Sequence, residues 1–238
     1  DNICTRLINP EARYHYCSEI LRKSFYDGSR WNMDECDSHT IFVSQGYYPI
    51  KGLHYMLEAL GDIRKFYPDA RLRVAGGVSL NNAGLKNRLK QKNYQRYLAE
   101  LIEKYSLAGC VEFLPPLKAD EMKRMYLKSN VFVSPSSIEN SPNSLGEAMM
   151  LGVPCVSSLV GGVGNMLINE AEGFTYQHDA PYMLAYYVME IFRLQEENRR
   201  QLEDMTDMAH SHAMRLFDSE KNAANMLEIY SGIERIKR

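Results

Sequence analysis

The sequence predicts an α/β fold, a doubly wound, Rossmann-like parallel sheet of about six strands with helices on both faces. Three observations carry that expectation. From residue 40 onward, short β-branched or aromatic runs alternate with stretches of helical period. The connections between runs are long enough to hold a helix, which right-handed parallel crossovers need and hairpins do not. The chain also has 238 residues, 45% of them hydrophobic, enough for one large core.

The elements follow in order. TIFVS, Thr40 to Ser44, is the first strand. After the loop QGYYPIKG, apolar residues at Leu53, Met56, Leu57, Leu60 and Ile63 keep helical spacing, and Pro68 closes that segment. ARLRVAGG is the second strand and ends in glycines. The polar stretch VSLNNAGLKNRLKQKN is a loop or an exposed helix, followed by a helix from about Tyr94 to Tyr105 with Leu98, Leu101 and Ile102 on one face. CVEFLPP, NVFVSPS, PCVSS and GFTYQ supply strands three to six, with the helix ADEMKRMYLKS between three and four. From Pro181 the tail is helical, with breaks near Arg193 to Asn198 and at Asp218. Ligands of such a sheet sit at the carboxyl ends of its strands, so the loops after strands one, four and five are expected to converge.

Composition narrows the function. Twenty-eight Lys and Arg against 30 Asp and Glu give a formal charge of −2, which lacks the basic character of a nucleic-acid binder. Cys4, Cys17, Cys36, Cys110 and Cys155 are scattered, without a CxxC pair or zinc-like His spacing, and read as reduced thiols of a cytosolic protein with no metal site. No apolar run approaches the roughly 20 residues that span a bilayer, and no signal peptide opens the chain. A soluble protein able to work at the inner membrane face fits this pattern. The run Lys86, Arg88, Lys90 and Lys92 reads as a solvated face, with anionic headgroups the less favoured alternative. His15, His39, His54, His178, His210 and His212 read as packing or solvated residues, and the methionines of EAMMLG as core. The start has no initiator Met and no clear strand, so the chain is expected to be a fragment of something longer.

The chemistry concentrates in PSSIENSPNSLGEAMMLGVPCVSS. Ser141 is expected to cap a helix whose first position is Pro142, and Gly152 followed by Pro154 stops it. Asn143, Ser144 and Leu145 then present free backbone N–H groups at a helix N-terminus, an arrangement suited to phosphate. Glu139 and Glu147 flank that end. Two acids would repel a bare phosphate, whereas a carboxylate accepts two hydrogen bonds and suits a vicinal diol. A nucleotide sugar offers a ribose and a hexose on either side of a diphosphate. The alternative is a solvated Glu139 and a surface Glu147 in an ion pair.

This segment resembles the E-x7-E motif of the GT-B glycosyltransferases of family four, with Glu139 and Glu147 at the required spacing. YYPIKGLHYMLEAL and SSLVGGVGNML resemble that family's loops after the first and fifth strands, so the likeness covers roughly residues 40–195. The resemblance implies a single GT-B half, the donor-binding one. It implies Lys51 on the donor diphosphate, Glu147 on the ribose hydroxyls, Glu139 beside the donor sugar, and Asn143, Ser144 and Leu145 along the phosphates and sugar. Gly161 and Gly162 would let the backbone approach the donor. Gly46 stands where the family usually has an arginine on the diphosphate, Pro115 or Pro116 where it often has glycine, and Gly164-Asn165 where Pro-Glu is common. Tyr47 and Tyr48 are candidates to complete the site.

Three parts are therefore expected: a linker over 1–39, a nucleotide-sugar domain over 40–195, and C-terminal helices over 196–238 that dock on an acceptor-binding domain outside this chain. Ala223, Leu227, Tyr230 and Ile233 form the docking stripe, through which two copies could also pair. The implied activity is retaining, metal-independent transfer of a hexose from UDP- or GDP-sugar to a glycan or lipid-linked acceptor in cell-surface polysaccharide synthesis, with no other cofactor. The enzyme would be peripheral at the membrane, and this chain alone would bind donor without transferring it. A sugar-nucleotide epimerase relative and a noncatalytic nucleotide-binding scaffold are the competing readings.

Overall fold

The computed structural model describes residues 2–77 and 93–236. The run Lys86 to Lys92 lies outside them. Among the described residues, β1 (Thr40–Val43), β2 (Arg71–Val74), β3 (Val111–Phe113), β4 (Val131–Ser134), β5 (Cys155–Ser158) and β6 (Phe174–Tyr176) form one parallel sheet in the order β3-β2-β1-β4-β5-β6. Every residue of β1, β4 and β5 is buried, as in a sheet covered on both faces. The strand order reverses between β1 and β4, and the connections leaving these neighbours open a crevice at their carboxyl ends.

The helices are α1 (Asn2–Ile8), α2 (Leu53–Ile63), α3 (Asn93–Lys104), α4 (Ala119–Leu127), α5 (Asn143–Leu151), α6 (Pro181–Glu197), α7 (Arg199–Leu216) and α8 (Ser219–Ile236). All five apolar residues that define the period of α2 are buried, and the helix packs against α3 and α6. On α5, seven residues from Leu145 to Leu151 are buried, because α4, α7 and the N-terminal segment enclose it. A helix covered this fully has no polar stripe.

Both ends of the chain take a larger part in the core than the three-part division expects. Leu21, Phe25, Trp31 and Met33, all from the expected linker, join the same apolar cluster as the strands. The Trp31 indole N–H donates to the Ser129 carbonyl at 2.9 Å, and its amide to the Leu151 carbonyl at 2.8 Å. Burying side chains of this size contributes roughly 2–3 kcal/mol each, so the segment is anchored to the core. At the other end α7 packs on α5 and buries Leu202, Met205, Ala209 and Ala213, with Phe217 just beyond it. A Cβ on Gly146 would sit 2.5 Å from Phe217 Cζ, so the glycine makes the space for that ring. On α8, Leu227, Tyr230 and Ile233 are exposed.

Candidate functional site

The loop after β1 carries Lys51 into the crevice. A 3-10 turn, Pro49–Lys51, ends at Gly52 with φ of 70°, where an added Cβ would lie 1.7 Å from the Pro135 carbonyl oxygen. Only glycine allows the β1 loop to press on the end of β4 so closely. The Ser137 amide donates to the Ile50 carbonyl at 2.8 Å and ties the two loops together. Across that seam Lys51 Nζ is 2.6 Å from Glu139 Oε1, and Ser136 Oγ donates to the same oxygen at 2.7 Å. The acid side chain is 11% exposed and the lysine 24%.

The entry to α5 differs from the expected cap. Ser141 does not cap the helix; its hydroxyl faces Met166 Sδ at 3.6 Å. Pro142 takes the N-cap place instead, and its carbonyl accepts the amides of Leu145 at 3.0 Å and Gly146 at 3.2 Å. Pro142 has an extended backbone and no side chain able to accept from the first turn, so the first amides of the helix are left open. Leu145, bonded to the Pro142 carbonyl, has no free N–H, and its side chain is buried. The amides of Asn143 and Ser144 find no acceptor among the described residues. Behind them the Tyr126 hydroxyl donates to the Ser144 carbonyl at 3.0 Å. Burial pushes that phenol well above its ordinary pKa, so it stays a neutral donor.

One turn further on, Glu147 is buried and bound by an arginine that the sequence reading did not connect with it. Arg22 Nε lies 2.6 Å from Oε1 and one Nη 2.7 Å from Oε2, a forked pair between residues 125 positions apart. The hydrogen bond to Glu147 holds the guanidinium above its ordinary pKa, against the opposing effect of burial. A faint signal was present, since an acid inside the apolar helix LGEAMML needs a partner. Nothing local identifies that partner.

Gly161 and Gly162 also pack against the loop that carries Glu139. A Cβ on Gly161, at φ of 52°, would fall 1.6 Å from the Glu139 carbonyl oxygen, and one on Gly162 would fall 2.2 Å from that of Asn140. The Gly162 amide donates to that Asn140 oxygen at 2.8 Å. The space the glycines leave is thus filled by the chain's own backbone, and the loop after β5 buttresses the one carrying Glu139. Gly46 is buried and presents no side chain to the crevice. Tyr47 and Tyr48 meet edge to face at 5.0 Å, and neither lines the clefts described next.

Two clefts meet at Glu139 and Ser141. One, of about 490 Å³, is bounded by Arg22, Gln45, Lys51, Asn143, Ser144 and Glu147 on its polar side and by Leu21, Pro116 and Met122 on its apolar side. The other, of about 610 Å³, runs between Tyr14 to Glu19 and the pair Gly161 and Gly162. His15 lines this second cleft. Two further histidines tie elements together: His39 bridges Asp69 at 2.8 Å and Glu196 at 3.0 Å beside Tyr67 and Phe192, and His210 faces the Met150 carbonyl. Among the described residues no group of three His, Cys, Asp or Glu side chains is placed to hold a metal ion, and no helix is long and apolar enough to cross a membrane.

Residues 31–206 match the family described as Glycosyl transferases group 1. The chain belongs to this family. A D-inositol 3-phosphate glycosyltransferase from Corynebacterium urealyticum is 27% identical over 186 residues, which cover 77% of this chain and 41% of that protein. The group 1 chain described here therefore spans less than half the length of that curated relative. Sucrose-phosphate synthase from Thermosynechococcus elongatus superposes with a TM-score of 0.78 at 19% identity, covering 99% of this chain and 56% of that one. HepE from Anabaena, solved with UDP-glucose, gives 0.66 at 19% identity over 82% of this chain and 49% of its own. The fold of this group 1 family member is thus the GT-B Rossmann-like unit that the sequence predicts.

Proposed function

We propose that this chain binds the nucleoside diphosphate sugar of a group 1 glycosyltransferase, in the paired clefts that meet at Glu139. The observation that supports this most is the charge arrangement around the start of α5. Lys51 with Glu139 and Arg22 with Glu147 bracket the unpartnered amides of Asn143 and Ser144. A diphosphate meets those amides and the Lys51 ammonium, and Glu147 accepts the ribose hydroxyls in the cleft beside Leu21 and Pro116. The sugar then lies past Glu139, toward Gly161 and Gly162. Complexes of HepE with UDP and with UDP-glucose favour a uridine donor.

In the complete enzyme, whose acceptor-binding half lies outside this chain, the reading is retaining, metal-independent transfer of a hexose to a glycan or lipid-linked acceptor at the cytoplasmic membrane face. Lys51 and the helix N-terminus stabilise charge on the departing diphosphate in fixed positions. Glu139 orients the sugar and meets the positive charge that grows at its anomeric carbon. By itself the chain holds the donor and transfers nothing.

Thermal unfolding with UDP, GDP, ADP and their sugar conjugates tests the reading. Ligand at about one hundred times its dissociation constant adds roughly 2.7 kcal/mol. A rise in Tm confined to one nucleotide series, and lost in Lys51→Ala, is the expected result. No rise with any nucleotide would reject a donor site in this chain.

A further inference from the structure

Resting on the donor-site reading above, we propose that Arg22, from the segment ahead of β1, is a second donor-binding cation that acts on the diphosphate in the cleft it lines together with Lys51. Its geometry is that of a shared guanidinium. Nε and one Nη engage Glu147, and the other Nη carries two N–H donors that this pair does not use. The two partners are unequally covered: the Glu147 side chain is 5% exposed and that of Arg22 is 42% exposed. Both line the cleft, and the cation forms the larger part of its surface there, beside Lys51, Asn143 and Ser144.

Charge makes the same case. Glu139 and Glu147 bring two negative charges to this cleft and Lys51 brings one positive, so without Arg22 the cleft would carry a net negative charge and repel a diphosphate. With Arg22 it is neutral before the two helix amides are counted. The arginine is also held in place, because its guanidinium lies 5.1 Å from the ring centre of buried Phe25. Ile20 and Leu21, its neighbours in the chain, face the same cleft as Leu117 and Met122 and give a flat base two apolar sides.

Calorimetric titration of the wild-type chain and of Arg22→Ala and Arg22→Lys tests the assignment, with UDP, UMP and uridine as probes and the guanine and adenine series in parallel. Arg22→Ala is expected to lose about tenfold or more in diphosphate affinity, far less in nucleoside affinity, and to show a shallower salt dependence. Arg22→Lys keeps the charge without the fork and should fall between; it carries the test if Arg22→Ala does not fold. Unchanged diphosphate affinity in a folded variant would make Arg22 a structural partner of Glu147 only, and tighter binding would make it a latch over that acid. Either result overturns the assignment and leaves the donor site standing. Failure of the wild-type chain to bind any nucleotide would remove the donor-site reading and this inference together.

Discussion

Lys51 and Glu139, which lie 88 positions apart, meet as one ion pair, 2.6 Å between Nζ and Oε1, where the loops after β1 and β4 cross. The acid is nearly enclosed, so the pair ties the two loops together. Lys51→Ala leaves Glu139 with Ser136 as its remaining partner and should cost about 2 kcal/mol in urea unfolding. Adding Glu139→Gln removes the stranded charge and should recover part of that loss, a coupling of about 1 kcal/mol. Strictly additive single variants would mean that the pair contributes nothing to the fold.

The glycine loop predicts a contrast between neighbours. Gly161→Ala puts a Cβ 1.6 Å from the Glu139 carbonyl oxygen at a positive φ, whereas Gly164→Ala meets nothing nearer than Leu159 Cδ1 at 3.4 Å. The first should cost about 3 kcal/mol and the second well under about 1 kcal/mol. Because Gly161 presses on Glu139, the first should also weaken nucleotide-sugar binding more than nucleotide binding. Equal stability of the two variants would show that the loops do not pack this way.

Phe217 tests whether the C-terminal helices belong to this core. Its ring lies over Gly146 of α5, and its carbonyl accepts the Tyr26 hydroxyl at 2.8 Å. Phe217→Ala should destabilise the chain by about 3–5 kcal/mol, through lost burial and the cavity left behind. A small effect would mean that α7 merely leans on the sheet and can be removed.

The pH dependence follows from two partly buried histidines. Burial lowers the pKa of both His54 and His210 below the ordinary histidine value. Just below that value, about 6.5, the unfolded chain binds more protons than the native one. Their contribution is therefore present at higher pH and is lost as pH falls through that range. Tm should drop between about pH 7 and pH 5, and His210→Gln should flatten the slope. A carboxylate loss is separate: hydrogen bonding to His39 holds Asp69 below its usual range, so its contribution fades only below about pH 4. A Tm that is flat from neutral to mildly acidic pH would contradict the histidine assignment.

Much of the fold could be read in advance, because its signals are local. The period of Leu53, Met56, Leu57, Leu60 and Ile63, the β-branched runs and the breaks expected at Arg193 to Asn198 and at Asp218 each depend on residues a few positions apart; the structure reproduces them, with the first break at the end of that range, Asn198. The cap of α5 was misread for a related reason. Ser141-Pro142 has the composition of a cap followed by a first helical residue, but Pro142 adopts an extended backbone and itself takes the N-cap place, and residue type alone does not distinguish the two registers.

By itself, the sequence determined the order of strands and helices, the parallel sheet they must form, the loops where Lys51 and Glu139 reside and the helix that carries Glu147. Only the tertiary structure decided what those residues touch: Lys51 on Glu139, Arg22 forked onto Glu147, and Gly161 against the Glu139 backbone. The physical reason is range. Hydrophobic period and turn geometry act over a few residues, whereas a buried charge takes whichever partner the packed core brings within reach. For Glu147 that partner is 125 positions away, held there by the burial of Phe25 and Trp31.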